Sequence, residues 1–253
     1  MTNLIDGYTH CGLSKYEPIE QVKQVMSAAG VSGAVLVQHI GEYDNDYIGR
    51  VASEDPAHLA AVCLVDHQAP DAVDALGRCR DSAYHFRGVR LPAEVAAHAP
   101  QLLYAAADMG LIIVLFAPEG VGANLKPLAE MLEARPQAQL VLSHLTLPLK
   151  AGAPDLPASR AAFELAKYPG VYCQVSGMKM HAPYPHEPLY PLIAEALDHF
   201  GPSRLYWGSN YPVVGDEQDY IRDLRLLLDG KLPVPENAIA DIAGGNAQRL
   251  WFA

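Results

Sequence analysis

The chain has 253 residues, a formal net charge of −11, 50% hydrophobic residues and 19% charged ones. That length suits one or two domains, since α/β barrels run about 200–250 residues as one unit, and the high apolar content excludes a disordered chain. The acidic balance speaks against a nucleic-acid partner, which needs a basic stripe, and against an anionic membrane surface.

Short apolar runs recur along the chain. They begin near Leu4, Gly33, Leu59, Phe86, Leu111, Gln139, Val171 and Arg204. Gly33–Val37 and Leu111–Phe116 are continuous rather than alternating, which suits strands buried on both faces. Each step from run to run is roughly one βα unit long. Helical patterns lie between them. Pro18–Ala29 carries Ile19, Val22, Val25 and Met26 on one face and stops at Gly30. Further helices are expected over Val95–Met109, Ala123–Arg135, Pro188–Phe200 and Asp216–Leu228. Gly152–Pro157 and Ala182–Pro191 are rich in Pro and Gly and read as loops at a barrel mouth. Eight strands alternating with helices predict a (β/α)8 TIM barrel spanning residues 1–253 as a single domain. A doubly wound open sheet is the alternative, but the turn after the first run, Tyr8-Thr9-His10-Cys11-Gly12, lacks that fold's glycine fingerprint.

Cys11, Cys63, Cys79 and Cys173 form no CxxC pair, so they read as thiols of a reducing compartment. The segment from Met1 to Asp6 has no basic start and no long apolar run. No stretch reaches the ~18 apolar residues of a membrane span. A cytoplasmic location is the expectation. The low charged fraction leaves a homo-oligomer open.

In this fold, chemistry sits at the carboxyl ends of the strands. The polar residues there are Tyr8, Thr9 and His10; Gln38 and His39; Asp66 and His67; Arg87 and Arg90; Ser143 and His144; Gln174 and Ser176; and Ser209 with Asn210. Imidazoles bind metals, move protons and polarise carbonyls, so His10 and His144 are candidate catalytic residues. His67, next to a helix start, reads better as structural. His181 and His186 lie in a Pro-rich loop and read either as a lid or as surface. Arg87 and Arg90, three apart, face opposite sides of a strand, so one of them, Arg90, is expected to reach the mouth.

The sequence resembles the amidohydrolase 2 family of TIM-barrel hydrolases, and within it the lactonase branch, whose members act on sugar lactones and on 2-pyrone-4,6-dicarboxylate. Ile5-Asp6-Gly7-Tyr8-Thr9-His10 stands where the family has a D-x-H-x-H strand. Val35–Gln38 followed by Tyr43-Asp44-Asn45 resembles its second strand and the DN helix start after it, and Phe86-Arg87-Gly88-Val89-Arg90 its GxRGVR strand. Val141-Leu142-Ser143-His144 is similar to its metal-site strand, and Val171–Gly177 to its VYVKLSG segment. Arg204–Pro212 resembles RLMWGSDWP, and Gly245–Leu250 the closing GNAxRLY. The resemblance implies two His and an Asp holding a divalent cation in metal-dependent members, with the Asp also taking the proton of the attacking water.

Two departures stand out. Tyr8 replaces the first His of the pair, and Asn210 replaces the Asp. Two neutral ligands rarely hold zinc, and an Asn cannot act as a base. No cofactor and no tightly held metal are therefore expected; any weakly held divalent cation falls to His10 and His144. The expected activity is metal-independent hydrolysis of a small carboxylated lactone or cyclic ester. His10 or His144 is the general base with a pKa near the working pH, Tyr8 donates to the oxyanion, and Asn210 orients water. Arg90 and Arg87, with His39, Ser176 and Lys179, bind the small anionic substrate. Losing the Asp should lower the imidazole pKa values. Two other readings remain: a decarboxylase, isomerase or dehydratase on the same scaffold, and an inactive ligand-binding homologue.

Overall fold

A computed structural model describes residues 3–150 and 152–253; residues 1, 2 and 151, which the expected domain span and the reading of the amino-terminal segment also include, lie outside the described residues. The strands are β1 (Ile5–Thr9), β2 (Gly33–Val37), β3 (Leu59–Leu64), β4 (Gly88–Pro92), β5 (Ile112–Phe116), β6 (Leu140–Leu142), β7 (Val171–Ser176) and β8 (Leu205–Gly208). They pair in parallel in the order β1 to β8. The two ends meet at the top: Asn210 N donates to Tyr8 O at 2.8 Å, and His10 N donates to Tyr211 O at 2.8 Å. The protein is a TIM barrel. Gly208 makes this closure tight, since a Cβ there would lie 2.8 Å from the Tyr8 Cβ.

The helices are α1 (Ile19–Ala29), α2 (Asp46–Glu54), α3 (Ala72–Asp81), α4 (Val95–His98), α5 (Pro100–Asp108), α6 (Leu125–Ala134), α7 (Leu156–Ala162), α8 (Tyr190–Phe200), α9 (Glu217–Leu228), α10 (Glu236–Ala240) and α11 (Asn246–Trp251). The continuous apolar strands have a simple cause. Alternate residues serve two cores. Val35, Val62, Val114, Val141 and Tyr206 fill the barrel, while Leu36, Cys63, Leu91, Leu142 and Trp207 face the helices. Ala247, Leu250 and Trp251 of α11 join the interior core.

Three sequence expectations change. Val95–Met109 is two helices, because Pro100 has no N–H to continue the ladder and Ala99 leaves helical geometry at φ −142°. Gly152–Pro157 is a loop only up to Asp155, whose side chain accepts from Ala158 N at 3.2 Å and starts α7 at Leu156. Ala182–Pro191 gives way to α8 at Tyr190. Among the described residues, no helix is long and apolar enough to cross a membrane.

Candidate active site at the carboxyl ends of the strands

The upper layer of the barrel interior gathers Tyr8, His10, Arg90, His144, Ser176 and Asn210, all buried. The Tyr8 ring stands edge-on to both imidazoles, with centroids 5.2 Å from His10 and 4.7 Å from His144. The Arg90 guanidinium lies 5.8 Å from the Tyr8 ring centre and 4.5 Å from that of Phe116. Tyr16, from the loop after β1, stacks on His10 at 4.9 Å and meets His39 edge-on at 5.1 Å.

The backbone is strained where β6 delivers His144. His144, Leu145 and Thr146 all take positive φ values between 53° and 55°, a region that costs L residues roughly 1–2 kcal/mol each. Hydrogen bonds hold the turn: Ser143 Oγ donates to Leu115 O at 2.6 Å, and Ser159 Oγ donates to Leu145 O. Asn210 also sits at positive φ, which Asn tolerates better than most residues.

The hydrogen bonds fix both imidazole tautomers. His10 Nδ1 faces only an acceptor, Val37 O at 2.6 Å, so it carries the proton. Gln174 Nε2 donates to Gly7 O at 3.0 Å, which sets its amide; its Oε1 then accepts from Ser176 Oγ at 3.0 Å. The Ser176 proton is thereby spent. His144 Nδ1, 2.7 Å from Ser176 Oγ, must be the donor in that contact. In the neutral rings, both Nε2 atoms therefore carry no proton and can accept one; the Asn210 side chain lies within hydrogen-bonding reach of the His10 ring.

Electrostatics keep the rings neutral. Burial first, then the Arg90 charge, lowers His10 to about 3. The same two causes, in the same order, hold His144 well below its ordinary value. This lowering comes from burial and Arg90, whereas the expectation traced it to the loss of the Asp; the pKa near working pH expected for the general base is corrected. Burial pushes the Tyr8 phenol up, so it stays protonated, and its hydroxyl has no partner among the described residues.

Arg90 is buried and pairs with no carboxylate among the described residues. Its Nη1 donates to Gln38 O at 3.1 Å, and its Nε is unpartnered. No group of three or more His, Cys, Asp or Glu side chains able to hold a metal occurs among the described residues.

Other candidates land elsewhere. Arg87 is corrected: it precedes β4 at the amino-terminal end of the barrel, is exposed, and donates to Ala253 O at 2.7 Å. It also lines a cavity of about 550 Å³ with Arg80, His85 and Gln139 at that end, away from His10 and His144. Lys179 is corrected too: its ammonium pairs with Asp219 of α9 at 2.5 Å and is not left for a substrate. His39 is buried with Nδ1 unpartnered, beside a cavity of about 150 Å³ lined by Cys11, Gln38 and Tyr47. His67 lies 3.5 Å from Glu94, and His186 is buried against Asp223 at 3.1 Å. Tyr16 and Phe116 escaped a reading restricted to polar strand-end residues; their positions just past β1 and at the end of β5 were the available signal.

The amidohydrolase family model matches residues 13–253. The chain belongs to the amidohydrolase 2 family. The match starts after β1, so the placing of Tyr8 and His10 rests on the barrel geometry. The L-fucono-1,5-lactonase of Burkholderia ambifaria is 30% identical over 204 residues, covering 77% of this chain and 69% of the relative. Two solved structures share the fold. An amidohydrolase from Burkholderia multivorans with bound HEPES has a TM-score of 0.75 at 19% identity, covering 98% of both chains. A probable 2-pyrone-4,6-dicarboxylic acid hydrolase from Acinetobacter baumannii with citric acid bound has a TM-score of 0.72 at 18% identity, again covering 98% of both. This amidohydrolase is thus a distant relative of lactonases.

Proposed function

We propose that the protein is a metal-independent hydrolase of a small carboxylated lactone or related cyclic ester. The observation that carries this reading is Arg90, a buried cation that pairs with no carboxylate among the described residues. A desolvated charge is costly unless paired, and a guanidinium fork matches a carboxylate. An anionic substrate supplies the missing partner. The lactonase relative supports the ester class.

The donor set fits a divalent cation poorly. It offers two neutral imidazoles, a phenol held protonated, an uncharged Asn210, and a guanidinium whose charge already bears on both rings. Catalysis then rests on the chain's own groups. A water attacks the lactone carbonyl while a bare Nε2, on His144 or His10, takes its proton. The Tyr8 hydroxyl donates to the oxygen that gains the negative charge. As the ring C–O bond breaks, the imidazolium returns the proton to the departing oxygen, leaving a hydroxy acid. The Asn210 amide orients the water. A substrate carboxylate on Arg90 cancels one of the two causes that weaken the imidazoles, so the base strengthens once substrate is in place.

The test is turnover on a panel of sugar 1,5-lactones and carboxylated pyrones, followed by acid release. Arg90→Met should raise KM for a carboxylated substrate about 100-fold, within the cost expected for removing one partner of a buried charge pair, and Arg90→Lys should recover part of it. An unchanged KM in Arg90→Met overturns the reading, as does full activity in the His10→Ala/His144→Ala double variant. Asn210 favours one second reading, a non-hydrolytic decarboxylation or isomerisation that needs no water-activating carboxylate. Product that forms in 18O-labelled water without taking up label selects it.

A further inference from the structure

Four residues that follow or end strands at the carboxyl side of the barrel each hold a buried polar atom without a partner among the described residues: the Tyr8 hydroxyl, Arg90 Nε, His39 Nδ1 and His181 Nε2. An orphaned buried donor costs roughly 1–3 kcal/mol, so each of these atoms is a bond that a ligand in the mouth can complete. Tyr8 and Arg90 have roles above. His181 has none.

His181 follows the short turn Met178–Met180 after β7. Its backbone N donates to Met178 O at 3.0 Å. The turn is anchored over the site, since Asn210 Nδ2 lies 3.4 Å from Met180 Sδ. Gly177, at φ 62°, admits this packing: a Cβ there would meet His144 Nδ1 at 2.9 Å. The His181 ring is also close enough to His144 for its charge to disfavour protonation of that ring.

We propose that His181, through a neutral Nε2–H, is a second hydrogen-bond donor to the carbonyl oxygen of the substrate, paired with the Tyr8 hydroxyl; this rests on the acyl-transfer reading above. The site already holds two bare Nε2 acceptors, on His10 and His144. What the addition step demands is a donor where charge develops. Burial lowers His181 to about 4, so near neutral pH the ring keeps one proton and donates it in a hydrogen bond without transferring it. A neutral imidazole in an enzyme of known mechanism polarises a carbonyl in this way.

Three readouts test the role. In His181→Phe, kcat on a turned-over lactone should fall about 100-fold, the loss typical of one oxyanion donor, with KM within about threefold. His181→Gln, which keeps an N–H at that reach, should recover at least tenfold of the loss. In 15N-histidine spectra, His181 should be the Nε2–H tautomer, and methylphosphonate, a tetrahedral oxyanion, should shift its Nε2 resonance. Unchanged kcat in His181→Phe, equal losses in both variants, or an Nε2 resonance indifferent to methylphosphonate overturns the proposal. Failure of the wild type on every lactone sinks the hydrolase reading instead, while the methylphosphonate response still decides whether His181 is an oxyanion donor.

Discussion

The neutrality of His10 sets a measurable cost for acid. A folded-state value of about 3 against an ordinary 6.5 amounts to about 5 kcal/mol of preference for the neutral ring, at about 1.36 kcal/mol per pH unit. The sign follows from linkage. A lowered folded value means that the unfolded chain binds the proton first, so this stability is whole above pH 6.5 and is lost as pH falls toward 3. At pH 4 the loss from His10 alone is about 3 kcal/mol. His10→Asn isolates it, because the amide can still donate to Val37 O in place of Nδ1 but does not titrate. Urea unfolding at pH 7 and pH 4 should show wild type losing about 3 kcal/mol more than the variant. NMR of the His10 ring should show no titration between pH 7 and 5. The acid limb of kcat/KM should accordingly lack a step near 6.5 from this ring. Parallel losses in wild type and variant, or a His10 ring titrating near 6.5, would refute the claim that burial and Arg90 hold it neutral.

Asp6 should behave in the opposite sense. It ties β1 to β8 by accepting from Tyr8 N, Ser209 N and Ser209 Oγ at 2.6–3.1 Å, and burial raises it from 3.8 to about 6. Its stability is whole below pH 3.8 and is lost as pH rises through 6, by about 3 kcal/mol. Asp6→Asn should remove that slope in urea unfolding between pH 4 and 7; an unchanged slope counts against it. Restoring the family's ligands with Tyr8→His and Asn210→Asp should give about one zinc per chain after dialysis, by elemental analysis, because three or more protein ligands then converge. A metal-free double variant would mean that these positions do not face one another as described.

The barrel and most of the site roster were legible in the chain itself. Apolar runs such as Gly33–Val37 and Leu111–Phe116 announce strands buried on both faces, and a regular βα step leaves few other folds. The carboxyl-end rule then pointed to Tyr8, His10, Arg90, His144 and Asn210, which the fold brings together. Other features depend on contacts between residues far apart in sequence. Arg87 sits three positions from Arg90, yet it donates to Ala253 O, 166 residues further along the chain. Lys179 looked like a substrate cation until α9 placed Asp219 beside it. The bare Nε2 of His144 follows from a relay through Ser176, Gln174 and Gly7 on two other strands. The low pKa of His10 comes from desolvation, which no local pattern records. Periodicity is local and survives in the sequence, so it determined the fold and the candidates; tautomer, charge state and pairing arise only when distant strands meet in a dry interior, and there the tertiary structure decided.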